Sequence, residues 1–156
     1  MEQHFKTIRQ TRNNFIQLLD SCTLEEANQV PEGFNNNIIW NFGHIIASLH
    51  GLCYTLSGLK AKSSPDYLNE YKKGTKPERF IGQDELNELK DLMLNTVDEL
   101  EEDLKNQVFI NYNVYTTSYG VTLNDIQDAV QFFPIHDAYH YGCATAIKRI
   151  INNNKN

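Results

Sequence analysis

Apolar side chains recur every three or four residues along most of this chain, the spacing that lines one face of a helix. Phe5, Ile8, Arg12, Phe15, Leu18 and Leu19 form the first such stripe and predict a helix over residues 2–20. Thr23-Leu24-Glu25-Glu26 is a capping-box pattern, but Pro31 and Gly33 follow closely, so the helix it opens should be short. Asn35, Asn36 and Asn37 offer caps for a second long helix over 38–56. That segment is apolar on nearly every side (Ile38, Ile39, Trp40, Phe42, Ile45, Ile46, Leu49, Leu52), the pattern of a helix buried all round. Gly58 ends it, and residues 59–83, with Pro65, Gly74, Pro77 and Gly82, read as a long connection.

A third helix is predicted over 84–105, with Leu86, Leu89, Leu92, Met93, Val97, Leu100 and Leu104 on its inner face. Its outer face carries Glu85, Glu88, Asp91, Asp98, Glu99, Glu101 and Glu102, a solvated run that holds most of the net charge. Residues 106–121 are rich in Tyr, Thr, Val and Asn and are broken by Gly120, which fits an irregular loop or a short extended hairpin. Thr122-Leu123-Asn124-Asp125 resembles another cap, after which helix resumes through Ala129. Pro134 lacks a backbone donor and is expected to kink or restart that helix, and the helical pattern then runs from Ile135 to Ile151. Four long helices with short extras pack most economically as a four-helix bundle. The fold class is therefore all-α, with one domain over 1–151 and an asparagine-rich tail, 152–156, expected to be disordered.

Composition narrows the function classes. With 156 residues, 40% of them hydrophobic, the chain can bury a core without disulfides. A formal charge of −6 and the absence of a basic stripe argue against nucleic-acid binding. No apolar run has the ~20 residues of a membrane span, and the N-terminal MEQHFKTIRQ has no signal-peptide core. Cys22, Cys53 and Cys143 are odd in number and without CxxC spacing, which fits free thiols in a reducing, cytoplasmic setting. Cys53 and Cys143 lie in apolar patterns and read as small packing residues.

Candidate chemistry rests on the five histidines. His136 and His140 are four apart, one turn along one face of the last helix, where two imidazoles can share a metal ion. They are embedded among Phe132, Phe133, Ile135, Ala138 and Ala144, and a neutral imidazole pair in such a setting is most readily satisfied by a metal. The competing reading is two half-exposed histidines hydrogen-bonded to neighbouring helices. His44, in the most apolar helix and beside Gly43, is the candidate third ligand. His50 points to another face, and His4 lies near the terminus and is expected to be solvated. Three histidines from two helices, with coordination positions left open, favour Zn²⁺ or Ni²⁺. The segment is not a zincin motif, because Asp137 stands where that motif has glutamate. Asp137 reads instead as an acceptor behind a ligand or as a surface charge.

NNIIWNFGHIIASLHGLCYTLSG, KGTKP, YTTSYGVTL and IHDAYHYGCATAIKR together resemble the DinB-like, YfiT-like superfamily of small bacterial four-helix proteins, over about residues 12–150. The family pattern, one histidine on the second helix and HxxxH on the last, is matched by His44, His136 and His140. The resemblance implies an up-down-down-up bundle, a three-histidine site for a divalent metal, and a homodimer. Some relatives are S-transferases or isomerases that use bacillithiol, mycothiol or glutathione. Asp137 and Pro134 depart from the family's usual residues, and neither removes a ligand.

Two functional readings follow. In the first, the chain is a metal-dependent enzyme of thiol S-transferase or hydrolase type, acting on a small molecule, in which Asn41, Tyr139, Tyr141 and the Tyr112–Tyr119 loop can line the pocket. In the second it is a non-catalytic metal- or ligand-binding dimeric bundle, consistent with the lack of a nucleophile elbow or a phosphate-binding glycine loop.

Overall fold

The computed structural model describes residues 1–62 and 64–154. Its elements are α1 (Glu2–Asp20), α2 (Leu24–Asn28), α3 (Ile38–Leu49), a π-helical continuation (His50–Thr55), a 3₁₀ helix (Asp66–Tyr71), α4 (Gln83–Lys105), β1 (Tyr115–Thr116), β2 (Thr122–Leu123) and α5 (Ile126–Asn153). The fold is all-α apart from the antiparallel β1–β2 pair, in which Tyr115 faces Leu123 and Thr116 faces Thr122. Both forms open for residues 106–121 are present: 106–114 are irregular, and Tyr115–Thr116 open a short hairpin that closes on Thr122–Leu123. Around the bundle the long helices run α1, α5, α3, α4, so α1 lies across from α3 and α4 across from α5.

The caps follow from side chains that satisfy otherwise orphaned N–H groups. The Thr23 hydroxyl accepts from the Glu26 N–H while the Glu26 carboxylate accepts from the Thr23 N–H, a complete capping box on a five-residue helix. Asn37 accepts from the Trp40 N–H to open α3, and Asp125 accepts from the Asp128 N–H to open α5. Eleven of the twelve residues of α3 are buried, as its all-round apolar sequence predicts.

Two expectations need correcting. The second long helix is α only to Leu49. Beyond it the Leu56 N–H donates to the Gly51 carbonyl and the Leu59 N–H to the Tyr54 carbonyl, the wide i→i+5 step of a π turn. That extra residue per turn is invisible to a 3.6-residue periodicity. Secondly, α5 is one unbroken helix of 28 residues with Pro134 inside it. Phe132 and Phe133 before the proline and Asp137, Ala144 and Ile147 after it are all buried in the bundle, so packing holds both halves on one helix despite the lost donor. The helix also continues through Asn153, into the segment expected as a tail; Lys155 and Asn156 lie outside the described residues.

The core has two ends. One gathers Phe15, Ile39, Phe42, Met93 and Ile147, the other Phe5, Leu49, Cys53, Val97 and Phe133. Arg12 is fully buried and touches every long helix of the bundle. From α1, its Nε donates to Asp137 Oδ2 on α5 at 2.8 Å, its Nη1 to Met93 O and Thr96 Oγ1 on α4, and its Nη2 to Ile45 O on α3. No helix among the described residues is long and apolar enough to cross a membrane.

Candidate metal centre

His136 and His140 occupy successive turns of α5, and His44 projects from α3, the helix that packs against it. One ring nitrogen from each lies within 4.8 Å of the others. The ring centroids are 4.5 Å apart for His44–His140, 4.7 Å for His136–His140 and 5.4 Å for His44–His136. The structure thus brings the three predicted histidines together. His50, as expected, faces elsewhere; it is buried against Tyr54, and neither of its ring nitrogens has a hydrogen-bond partner among the described residues. His4 departs from expectation, being half-buried with its Nδ1 out of water.

The partners of the three rings decide which nitrogens are free. His44 Nδ1 lies 2.7 Å from the Tyr71 carbonyl, which can only accept, so Nδ1 carries the proton. His140 Nδ1 lies 2.9 Å from Asn41 Oδ1. The Asn41 amide is itself oriented, because its Nδ2 donates to Asn36 Oδ1 and Asn37 O. His136 Nδ1 makes a longer contact, 3.4 Å, with Asp137 Oδ1. Each ring therefore has its Nδ1 side turned to an acceptor, which leaves the Nε2 lone pair available. The Ser48 hydroxyl, 3.2 Å from His44 Nε2, takes the donor role there. Acceptors behind each imidazole fix tautomer and ring orientation, the arrangement that supports histidine ligation of a metal.

Electrostatics point the same way. Burial, reinforced by the nearby His136, pushes the His44 pKa down to about 4. Burial together with His44 and His136 pushes that of His140 down to about 3. Both rings are neutral at pH 7, as ligation requires. Burial alone would raise the Asp137 carboxyl, but the Arg12 guanidinium and His136 outweigh it and hold it below the usual carboxylate range. The donor set of three imidazoles can hold a divalent metal ion.

A family model for the DinB superfamily matches residues 7–144. The chain belongs to the DinB superfamily. Among curated proteins none matches it significantly.

In this DinB-superfamily chain, the local sequence explains how α3 presents His44. A Cβ on Gly43 would lie 2.5 Å from ring carbons of Tyr71, so glycine alone lets that ring pack against the helix. Close packing of Tyr71 is what carries its carbonyl to His44 Nδ1. The Tyr71 hydroxyl donates to Glu85 on α4, which Arg79 also grips through two guanidinium nitrogens, so the end of the 3₁₀ helix is tied down on both sides. Trp40 stacks on His44 with centroids 4.7 Å apart and ring planes 10° from parallel.

Above the histidines opens a pocket of about 550 Å³. Its lining includes the apolar Leu52, Phe132, Ile135 and Tyr139, with Tyr115 and Tyr119 of the hairpin and Lys72 and Lys73. The π turn contributes Gly51, Leu52 and Thr55 to the same lining. Of the residues proposed as pocket lining, Tyr139 takes that place, and so do Tyr115, Thr117, Ser118 and Tyr119 of the loop. Asn41 is buried and instead supports His140. Tyr141 packs edge-on against Phe15, and the Tyr112 hydroxyl donates to the Leu52 carbonyl. All three cysteines are free; Cys53 is buried as expected, while Cys143 is only half-buried, one turn from the exposed Tyr139.

Sequence reasoning missed three supports. Arg12 announced itself as a charge inside an otherwise apolar stripe, a position that demands a buried partner. Ser48 stands one helical turn after His44, within reach of the same face. Tyr71 acts through its backbone carbonyl, which no side-chain pattern reveals.

Proposed function

We propose that His44, His136 and His140 hold a divalent ion, Zn²⁺ or Ni²⁺, and that the chain is a metal-dependent enzyme of thiol S-transferase or hydrolase type. The observation that carries this reading is the set of three Nδ1 atoms turned to the Tyr71 carbonyl, Asn41 and Asp137. It leaves the Nε2 side of each ring available, and one ring nitrogen from each histidine lies within 4.8 Å of the others at the pocket. An all-imidazole donor set suits Zn²⁺ or Ni²⁺ better than the hard, oxygen-seeking Mg²⁺ or Ca²⁺. When bound with open positions, such an ion lowers the pKa of a thiol or a water and so supplies a nucleophile at neutral pH.

The chain's own groups do the rest. Trp40 and the apolar wall keep bulk water from one side of the histidines, which strengthens every electrostatic interaction there. The Ser48 hydroxyl can turn its hydrogen from His44 Nε2 toward a polar atom of the substrate. The apolar wall and the two hairpin tyrosines hold the body of an electrophile or thiol in place. The same reading takes the protein as a homodimer, in line with the family resemblance, and the free cysteines support a reducing compartment.

Conjugation of a panel of low-molecular-weight thiols to a chromogenic electrophile, before and after chelation, tests the activity. The reading predicts turnover that needs the metal and falls by at least about a hundredfold in His140→Ala. Metal bound at unit stoichiometry without turnover of any thiol, ester or amide would favour the non-catalytic binding module instead.

A further inference from the structure

The pocket over the histidines has an unusual charge for this chain. Acidic residues outnumber basic ones, 20 to 14, and the formal charge is −6. Yet no aspartate or glutamate lines the pocket, while two lysines, Lys72 and Lys73, do. Neither lysine has an ion-pair partner among the described residues, whereas Arg9, Lys62, Arg79, Lys90 and Lys105 all do.

Their position is fixed by the same backbone that supports the metal site. Tyr71, whose carbonyl holds His44 Nδ1 at 2.7 Å, immediately precedes Lys72 in the chain. The turn that follows is anchored: the Thr75 hydroxyl donates to the carbonyls of Glu70 and Lys72 and accepts from Trp40 Nε1 at 3.0 Å. Two lysines with no ion-pair partner among the described residues thus line the same pocket as the apolar Phe132, Ile135 and Tyr139. Low-dielectric walls with charge of one sign focus the field into the cavity.

We propose that this pocket selects small organic anions, with the apolar body of the ligand along Phe132, Ile135 and Tyr139 and its anionic group at Lys72 and Lys73. The inference names a substrate class for the proposed metal-dependent site and so rests on that reading, but the recognition it assigns resides in residues outside the metal ligands. The lysines act as flexible point charges, which attract an anion without imposing a bidentate geometry. Exposed charge pairs are individually weak, so the expected preference for an anion over its neutral isostere is about fivefold at low salt.

Calorimetric titration with two matched probes tests this, 4-(mercaptomethyl)benzoate and its neutral benzamide counterpart. Each is titrated into the zinc-treated and the chelator-treated protein, and into the Lys72→Gln/Lys73→Gln variant. The substitutions sit on exposed side chains, and circular dichroism checks that the fold is kept. The expected result is about fivefold tighter binding of the benzoate by the native chain, a preference that shrinks to under about twofold in the variant and weakens with added salt. If the protein takes up no zinc but the benzoate preference and its loss in the variant are still measured, anion selection stands and the metal reading falls. Equal affinities for the two probes, a preference that survives in the variant, or no binding of either probe overturns the anion proposal, whatever the metal content.

Discussion

Gly43 shows how one missing methyl sets the chemistry of a residue beside it. Its Cα is the floor on which the Tyr71 ring rests, and a Cβ there would lie 2.5 Å from that ring. Gly43→Ala must push Tyr71 outward and with it the carbonyl that fixes the His44 tautomer. The expected outcome is a zinc affinity lowered by about 10- to 100-fold with the helical content intact, read from competition with a chromophoric chelator. His50 makes a different residue-scale prediction. Burial, opposed by the Glu99 carboxylate and aided by the Arg12 charge, pushes its pKa down to about 4. A histidine depressed in the folded state is neutral there but charges on unfolding, so its contribution is fully present above its unfolded pKa of about 6.5 and is lost as the pH falls toward 4. His44 and His140, depressed in the same direction, act alike in the metal-free protein. Urea denaturation of the chelated protein should therefore show stability falling steadily below pH 6.5. His50→Leu should remove one proton's share of that slope, about 1.4 kcal/mol per pH unit, and an unchanged slope would contradict the assignment. Asp137, held low by Arg12, adds a further loss only below its ordinary value near 3.8.

At the scale of elements, α5 carries two of the three histidines on successive turns and continues through Pro134 without a break. Packing of Phe132 and Phe133 on one side and Asp137 and Ala144 on the other overrides a proline whose local preference is to interrupt. Pro134→Ala returns a backbone donor to a helix already in place. It should raise stability by roughly 1–3 kcal/mol in thermal or urea melts, unless the proline's ring fills space that alanine leaves empty. Much of this element was legible in the sequence: the apolar periodicity from Ile135 onward, the Asp125 cap, and the pairing of His136 with His140. The continuity was not, since local propensity argues for a restart at Pro134 and only the neighbouring helices outvote it. The π turn after α3 stayed hidden for a related reason, because a change from α to π spacing leaves composition untouched and shifts the periodicity by a single residue. The connection over 59–83 looked featureless, and yet its 3₁₀ helix ends on the carbonyl that supports His44, a contact spanning 27 positions between main chain and side chain.

For the whole molecule, Arg12 ties the four long helices together and Asp137 passes that tie to His136. The pair is fully buried, so removing one partner strands a charge in the core. Arg12→Leu alone should destabilise the fold by about 3–5 kcal/mol, whereas Arg12→Leu/Asp137→Leu should recover much of that loss in urea titrations. Zinc affinity should stay reduced in the double variant, since His136 then lacks its acceptor. Stability restored together with full zinc affinity would show that the pair serves the fold alone. The three histidines were readable from spacing and apolar context, but the acceptors behind them belong to tertiary structure and appeared with the fold. The central claim is that these three imidazoles form one metal centre. Elemental mass spectrometry on the untagged protein, beside a folded His136→Ala/His140→Ala variant, tests it most directly. The account predicts about one zinc or nickel ion per chain in the native protein and none in the variant. A native protein that holds no metal and takes up neither ion when offered, or a variant that retains the metal in full, would contradict it.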